Sequence, residues 1–218
     1  MNRLRPLIRP DCHFLRRLGV GFIVCIWILA PYFLLQQFSL HQVYWLKGSW
    51  LDRQIPLNLQ AVYIYFTYCL LLAWAGFATS SQVFVRFVRA VCMVALVSHL
   101  CFFFFPTGVS REAISMEGAP RLYEWMVKLE KPRNCLPSLH ASLATLAMFA
   151  LWKRSSLCGG MAMLWWGAIL WSTIALRQHV ILDLVSGIIL ATGVWFFFGK
   201  RSDGAKVEEK IGLQSANS

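Results

Sequence analysis

The chain has 218 residues, of which 58% are hydrophobic and 14% charged, with a mean hydropathy of +0.56. Soluble domains carry about 25% charged and about 45–50% apolar residues, so this balance excludes an ordinary water-soluble protein and points to one polytopic helical membrane bundle. The net charge of +11 falls mostly in short segments flanking apolar runs, and with no compact basic patch or nucleic-acid motif a nucleic-acid partner is excluded.

Residues 1–17 form a basic segment ahead of the first apolar run, Leu18–Phe38. That run exceeds the about 7–15 residues of a signal-peptide core, and no small-x-small cleavage site follows, so it is read as an uncleaved span. Five more apolar runs follow: Leu57–Phe77, Phe87–Phe105, Leu139–Trp152, Gly159–Leu176 and Val180–Phe198. The expected architecture is therefore an all-α bundle of six transmembrane helices over residues 18–200. The fourth run is short, and Arg177-Gln178-His179 between the fifth and sixth must form a tight turn or a break. Within the loop Pro106–Pro137, Leu122, Trp125, Met126 and Leu129 recur at helical spacing, which predicts a short amphipathic helix on the membrane surface. Residues 201–218 are small, polar and charged and read as a disordered cytoplasmic tail.

Charge assigns the sides. Arg3, Arg5, Arg9, Arg16, Arg17, Arg86, Arg89, Lys153, Arg154, Lys200, Arg201, Lys206 and Lys210 fall on one set of alternate faces. The smaller set on the other faces is Lys47, Arg53, Arg111, Arg121, Lys128, Lys131, Arg133 and Arg177. The richer side is cytoplasmic under the positive-inside rule, which puts both termini there. The expected location is a multi-pass protein of a membrane, such as a bacterial inner membrane. The seven cysteines are odd in number, contain no C-x-x-C pair and mostly lie in apolar runs, so neither a disulfide framework nor a zinc site is expected.

Two polar islands stand out against this background: Asn134-Cys135-Leu136-Pro137-Ser138-Leu139-His140, and Ser172 to Asp183. Both fall on the extracytoplasmic side by the charge pattern. His179 and Asp183 are four residues apart, on one helix face. A carboxylate there can hold one imidazole nitrogen and leave the other as nucleophile or base. Pro137 and Ser138 suit a helix start, whose free N–H groups favour an anion. His140 at that start can protonate a leaving oxygen. Together these are the parts needed to cleave a phosphoester, with Arg111, Lys131, Arg133 and Arg177 as candidate cations for the phosphoryl oxygens. Taken singly, the His–Asp pair reads as a helix cap, Ser138 as an ordinary N-cap, the amphipathic helix as lid packing and the cations as headgroup-facing charges.

At these residues the chain resembles the type 2 phosphatidic acid phosphatase superfamily of membrane enzymes, and more closely its inositolphosphotransferase branch, related to inositol phosphorylceramide synthases. Asp52-Arg53-Gln54-Ile55-Pro56 resembles a D-x-x-I-P element, and Phe105-Pro106-Thr107 with Arg111 an F-P-T…R element. Pro132, Asn134 and Pro137-Ser138-Leu139-His140 resemble P-x-N-x-x-P-S-L-H, and Ser172-Thr173, Gln178-His179, Asp183 and Gly187 resemble S-T…Q-H…D…G. The phosphatase branch instead has Ser-Gly-His at 138–140, an Arg where Thr173 stands, and a K-x6-R-P element with no counterpart here. The resemblance implies a six-helix bundle without a metal or other cofactor. It implies His179 as nucleophile forming a phosphohistidine, Asp183 as its orienter and His140 as acid. It adds Asn134 and Ser138 to the phosphate-binding candidates.

The expected partners are the membrane itself and a phospholipid or prenyl diphosphate substrate; oligomeric state is not legible. Two other classes fit less of the pattern. A haem protein ligated by His99, His140 or His179 leaves Asp183, Pro137 and Ser138 without a role. A non-catalytic lipid transporter or scaffold would bind without turnover, and no internal repeat supports it.

Overall fold

In a computed structural model of the protein, the backbone is described for residues 11–38, 41–111 and 114–216, and the side chains for residues 14–38, 41–111 and 114–199. The first ten residues of the basic N-terminal segment thus lie outside the described residues. The described elements run, in chain order, α1 (Asp11–Gln37), β1 (Tyr44–Leu46), α2 (Trp50–Gln54), a 3-10 turn over Leu59–Ala61, α3 (Val62–Phe66), α4 (Tyr68–Ala78), α5 (Ser81–Phe104), β2 (Thr107–Val109), α6 (Arg121–Leu129), α7 (Leu139–Trp152), α8 (Ser156–Ala175) and α9 (Ile181–Ala216).

All six apolar runs are helical, but they differ in reach. Five stretches are long and apolar enough to cross a membrane: Phe14–Gln37, Leu59–Ala78, Ser81–Phe104, Ser156–Ala175 and Ile181–Gly199. The second is interrupted, since a 3-10 turn leads into two α-helical pieces that meet at Thr67. The third begins at Ser81 rather than Phe87, because Ser80 accepts a hydrogen bond from Val83 N–H and starts the helix early. The last helix continues to Ala216, through the segment expected to be a disordered tail.

The short run, α7, has only 14 residues. It is roughly 21 Å long, against a hydrocarbon core of about 30 Å. It does not need a lipid-facing stripe, because it is buried almost all round, from Leu139 to Ala147 and again at Ala150 and Leu151. Ala141, Ala144, Ala147 and Ala150 keep it slim, so α4, α5, α8 and α9 approach closely. Lipid-facing bulk lies instead on the outer helices, as at Phe22 and Ile23 of α1 and Leu157 and Leu164 of α8.

Two features hold the loops at the His140 end. β1 and β2 pair in parallel, Tyr44 with Thr107 and Leu46 with Val109, and Gly108 bridges to Arg133. Gly108 must be glycine, since a β-carbon would lie 2.6 Å from the carbonyl of Pro132 and 2.8 Å from the Trp45 ring. α6 forms where helical spacing predicts it, but it buries Tyr123 and Met126 against α3, leaving Trp125 and Leu129 exposed.

At the other end of the bundle the cations tie helix ends together. Arg17 donates to the carbonyls of Gly76, Phe77 and Thr79, and Arg154 donates to the carbonyl of Ala78. Arg17 and Arg154 thus gather at the end of the bundle opposite His140.

Candidate functional site

The site forms where the start of α7 meets the start of α9. Ser138 caps α7, its hydroxyl accepting from Ala141 N–H at 3.2 Å. Its own N–H donates to the carbonyl of Asp183 at 3.1 Å. Ser142, one turn on, donates to the carbonyl of Gly187 at 2.9 Å. These bonds lock the first turns of the two helices together, and Gly187 permits it: a β-carbon there would come 2.5 Å from the carbonyl oxygen of Ser138.

The turn between α8 and α9 delivers His179. Arg177 adopts a left-handed backbone with φ of 56°, and the N–H groups of Gln178 and His179 both donate to the carbonyl of Thr173. The first turn of α9 is satisfied by two carboxylates. Asp183 Oδ1 accepts from Val180 N–H at 3.0 Å, and Asp52 Oδ1, from a distant loop, accepts from Ile181 N–H at 2.7 Å. Asp52 is itself fixed by a capping box with Ser49.

Within this frame His140, His179 and Asp183, all buried, come together. His179 Nδ1 lies 2.9 Å from Asp183 Oδ2. Its Nε2 lies 3.3 Å from both Ser138 Oγ and His140 Nδ1. A carboxylate accepts only, so the contact with Asp183 places the proton on Nδ1 and leaves the Nε2 lone pair facing Ser138 and His140.

The other candidates divide. Arg111 donates to the carbonyl of Glu130 at 3.2 Å and to the side-chain oxygen of Gln178. Its Nε and the Gln178 Nε2 are buried donors with no protein partner. Asn134, with φ of 61°, donates to the carbonyl of Tyr32 at 3.0 Å, and its own Oδ1 is unmatched. Arg177 is committed elsewhere: its guanidinium donates to the carbonyls of Asp52 and Ile55, at 2.9 and 3.0 Å. Lys131 is exposed and donates to the side-chain oxygen of Gln37 at the end of α1. Arg133 is half-buried, and its backbone bridges to Gly108.

Sequence reasoning missed three residues that touch this cluster. Gln178 stands out in the sequence only as part of the Gln178-His179 pair. Tyr65 of α3 lies with its hydroxyl 2.7 Å from His140 Nε2, and it donates to Glu130 Oε2 at 3.1 Å. Nothing in an apolar run singles out one tyrosine, and Glu130 reads as the polar end of a surface helix.

Cys135 Sγ joins His179 and Asp183 in the one trio of possible metal-ligand atoms among the described residues, all within 4.8 Å of one another. The donor set suits a metal poorly. Burial pushes the Cys135 thiol far above its ordinary range, so it stays protonated, and the His179 nitrogen facing Asp183 is already bonded.

A buried His–Asp–His cluster with unmatched Arg and Gln donors thus lies at one end of a bundle whose apolar helices are long enough to cross a membrane. A protein-family profile described as the PAP2 superfamily matches residues 36–197, and the chain belongs to that superfamily. No curated protein and no solved structure matches the chain significantly.

Proposed function

We propose that the protein is a membrane-embedded lipid phosphatase or phosphotransferase with a histidine nucleophile. The observation that carries this reading is the contact of His179 Nδ1 with Asp183, which turns Nε2 toward Ser138 and His140. His179 Nε2 attacks phosphorus, and the bond from phosphorus to the leaving oxygen breaks as His140 gives that oxygen a proton. This forms a phosphohistidine and a neutral alcohol, or a phosphate when the substrate is a diphosphate. Asp183 stabilises the positive charge that builds on His179. Water or a lipid alcohol, deprotonated by His140, then attacks the same phosphorus and releases His179.

In-line displacement puts the phosphoryl group between the two imidazoles. Attack starts from a separation of about 3–3.5 Å, and a hydrogen bond of about 2.8 Å is needed on the far side. The two rings, in contact at 3.3 Å, therefore form a resting pair that substrate must part. Arg111 and Gln178, with Nε and Nε2 unmatched, are the donors placed for the phosphoryl oxygens. Ser138 Oγ, beside His179 Nε2, is a further contact for them, and the unmatched Asn134 Oδ1 makes Asn134 a candidate. Lys131 and Arg133 would act at longer range, on the headgroup.

The charge pattern supports an extracytoplasmic site, with Arg17 and Arg154 marking the cytoplasmic end of the bundle. The Ser138-Leu139-His140 and Thr173 variations favour the branch that transfers an inositol-phosphate-type headgroup to a lipid acceptor. Phosphate release and lipid products should be measured over a panel of phospholipids and prenyl diphosphates, with and without a ceramide or diacylglycerol acceptor. Turnover by the parent and none by His179→Ala is the expected result; an active His179→Ala protein removes the histidine mechanism.

A further inference from the structure

His179 has a carboxylate partner that sequence spacing predicts. His140 has one too, reached through another side chain and invisible in the sequence. The Tyr65 hydroxyl sits between His140 Nε2, at 2.7 Å, and Glu130 Oε2, at 3.1 Å. It is a buried group on α3, while Glu130 ends α6 and His140 begins α7, so three separate elements converge on one hydroxyl. The Tyr65 ring is fixed by Phe66 and by His140 itself, and Tyr68, beside Tyr65, packs edge-on against His140. The charged and titratable groups around Glu130 and His140 include Arg111, which donates to the Glu130 carbonyl, together with Tyr32, Tyr65, Tyr68, Cys135 and His179.

We propose that Tyr65 and Glu130 are positioning residues for His140: they hold its proton on Nε2 and turn Nδ1 toward the reacting phosphoryl group. The inference rests on the reading of His140 as the acid of the reaction. A hydroxyl has one proton. When Tyr65 gives it to the Glu130 carboxylate, its oxygen can only accept from His140, and Nε2 must carry a hydrogen. The Nδ1 atom is then the one that takes up and delivers the second proton. In the imidazolium form the chain runs Asp183, His179, His140, Tyr65, Glu130, with a carboxylate at each end and one shared positive charge between them. Each imidazole thereby gains a counter-charge, directly for His179 and through a phenol for His140. When His140 gives its Nδ1 proton to the leaving oxygen, Nε2–H and the Tyr65 proton stay where they are, so the relay orients and stabilises without itself being consumed.

The opposite polarity has a protonated Glu130 donating to Tyr65, and Tyr65 to a bare Nε2; neutral His140 then carries its hydrogen on Nδ1 and donates it to His179 Nε2 at 3.3 Å. In the proposed polarity that contact is a hydrogen bond only when His140 is an imidazolium, and neutral His140 turns Nδ1 to the phosphoryl group once substrate parts the two rings.

Two measurements separate these states and separate positioning from simple packing. In protein labelled with 15N-histidine, with His140 assigned by loss of its signals in His140→Gln, the parent should show a protonated Nε2. An unprotonated Nε2 overturns the proposal. The second measurement is first-turnover release of the leaving group from octyl phosphate and from p-nitrophenyl phosphate. Nitrophenolate departs without a proton, so only the octyl ester needs the acid. Tyr65→Phe and Glu130→Gln should slow release from the octyl ester about 10- to 100-fold and from the nitrophenyl ester less than about threefold. Equal slowing of both esters, or of neither, rejects the positioning role. His179–Asp183 signals unchanged from the parent show that each variant is folded. If the parent turns over neither ester, phosphomonoester chemistry is lost from the proposed function, and the nitrogen shifts alone decide the relay.

Discussion

Gly187 of α9 rests directly on the carbonyl of Ser138 at the start of α7. A β-carbon at Gly187 would lie 2.5 Å from that oxygen and 3.0 Å from Ser142 Oγ, which is itself bonded to the Ser138 carbonyl. Backbone cannot yield as a flexible side chain can, so Gly187→Ala must push the two helices apart. The cost should be about 1–3 kcal/mol, and activity should fall far more, because the His140–His179 distance is set across this contact. Gly193, in the same helix, has nothing within 4 Å of its β-carbon position. Gly193→Ala should keep activity and leave the melting temperature equal or slightly higher. Thermal melts and turnover of the two variants in detergent check the pair.

Asp52 shapes the start of α9, next to His179, from about 130 residues away in sequence. One oxygen accepts from Ile181 N–H, the other from Ser49. Asp52→Ala leaves the Ile181 N–H without its acceptor at a part-buried helix start, at a cost of about 1–3 kcal/mol. Its effect should be on kcat, through the aim of His179, with little change in KM. A large rise in KM with kcat kept would instead make Asp52 a substrate contact.

Asp183→Asn tests the orienting carboxylate. An amide can donate to Nδ1 and so favour the wrong imidazole tautomer, with the proton on Nε2, where the attack must come from. Phosphoenzyme formation should slow on the order of 10³-fold while the fold survives, since Asn can still accept from Val180 N–H. Rapid-quench trapping of phosphoenzyme gives the rate directly. A loss below tenfold would mean that His179 is not activated through this bond.

The two arginines nearest the cluster should behave differently, although sequence reasoning grouped them. Arg177 spends its guanidinium on the carbonyls of Asp52 and Ile55, so Arg177→Gln should lower the melting temperature and kcat together. Arg111 gives two donors to Glu130 and Gln178 but keeps its Nε unmatched, so Arg111→Gln should lose some stability and, unlike Arg177→Gln, also raise KM and weaken inhibition by inorganic phosphate. A phosphate-binding defect in Arg177→Gln with an intact melting temperature would reverse these roles.

The contrast between the arginines shows what the sequence could carry. The helices were legible because apolar runs of span length have few other uses. His140, His179 and Asp183 were legible because ionisable groups at the ends of such runs are costly to keep. The direction of a guanidinium is a tertiary fact, and so is the short pairing of β1 with β2, three residues each and without alternation. α7 gave a weaker signal than its importance warrants: a helix buried on all sides carries no amphipathic face, and its length reads as a truncated span. Tyr65 and Glu130 were silent because their meaning lies in a common distance to His140, across three elements that no local pattern connects.

Glu130 offers a trade between stability and activity that titration can expose. Burial pushes its carboxyl above the ordinary glutamate range, opposed by the Tyr65 hydrogen bond and by Arg111 and His179. The folded protein thus holds the Glu130 proton more tightly than the unfolded chain does. The resulting stabilisation is complete below the unfolded value of about 4.3, and it is lost as pH rises through the raised folded value. Once ionised, Glu130 is a carboxylate that the fold would be more stable without. Glu130→Gln cannot ionise, so its melting temperature should exceed that of the parent at pH 7, and the two should converge toward pH 4. A parent more stable than Glu130→Gln at pH 7 would mean that Tyr65 and Arg111 outweigh burial. If the expected excess is found while the variant loses turnover of an alkyl ester, a destabilising anion is being retained for what it does to His140.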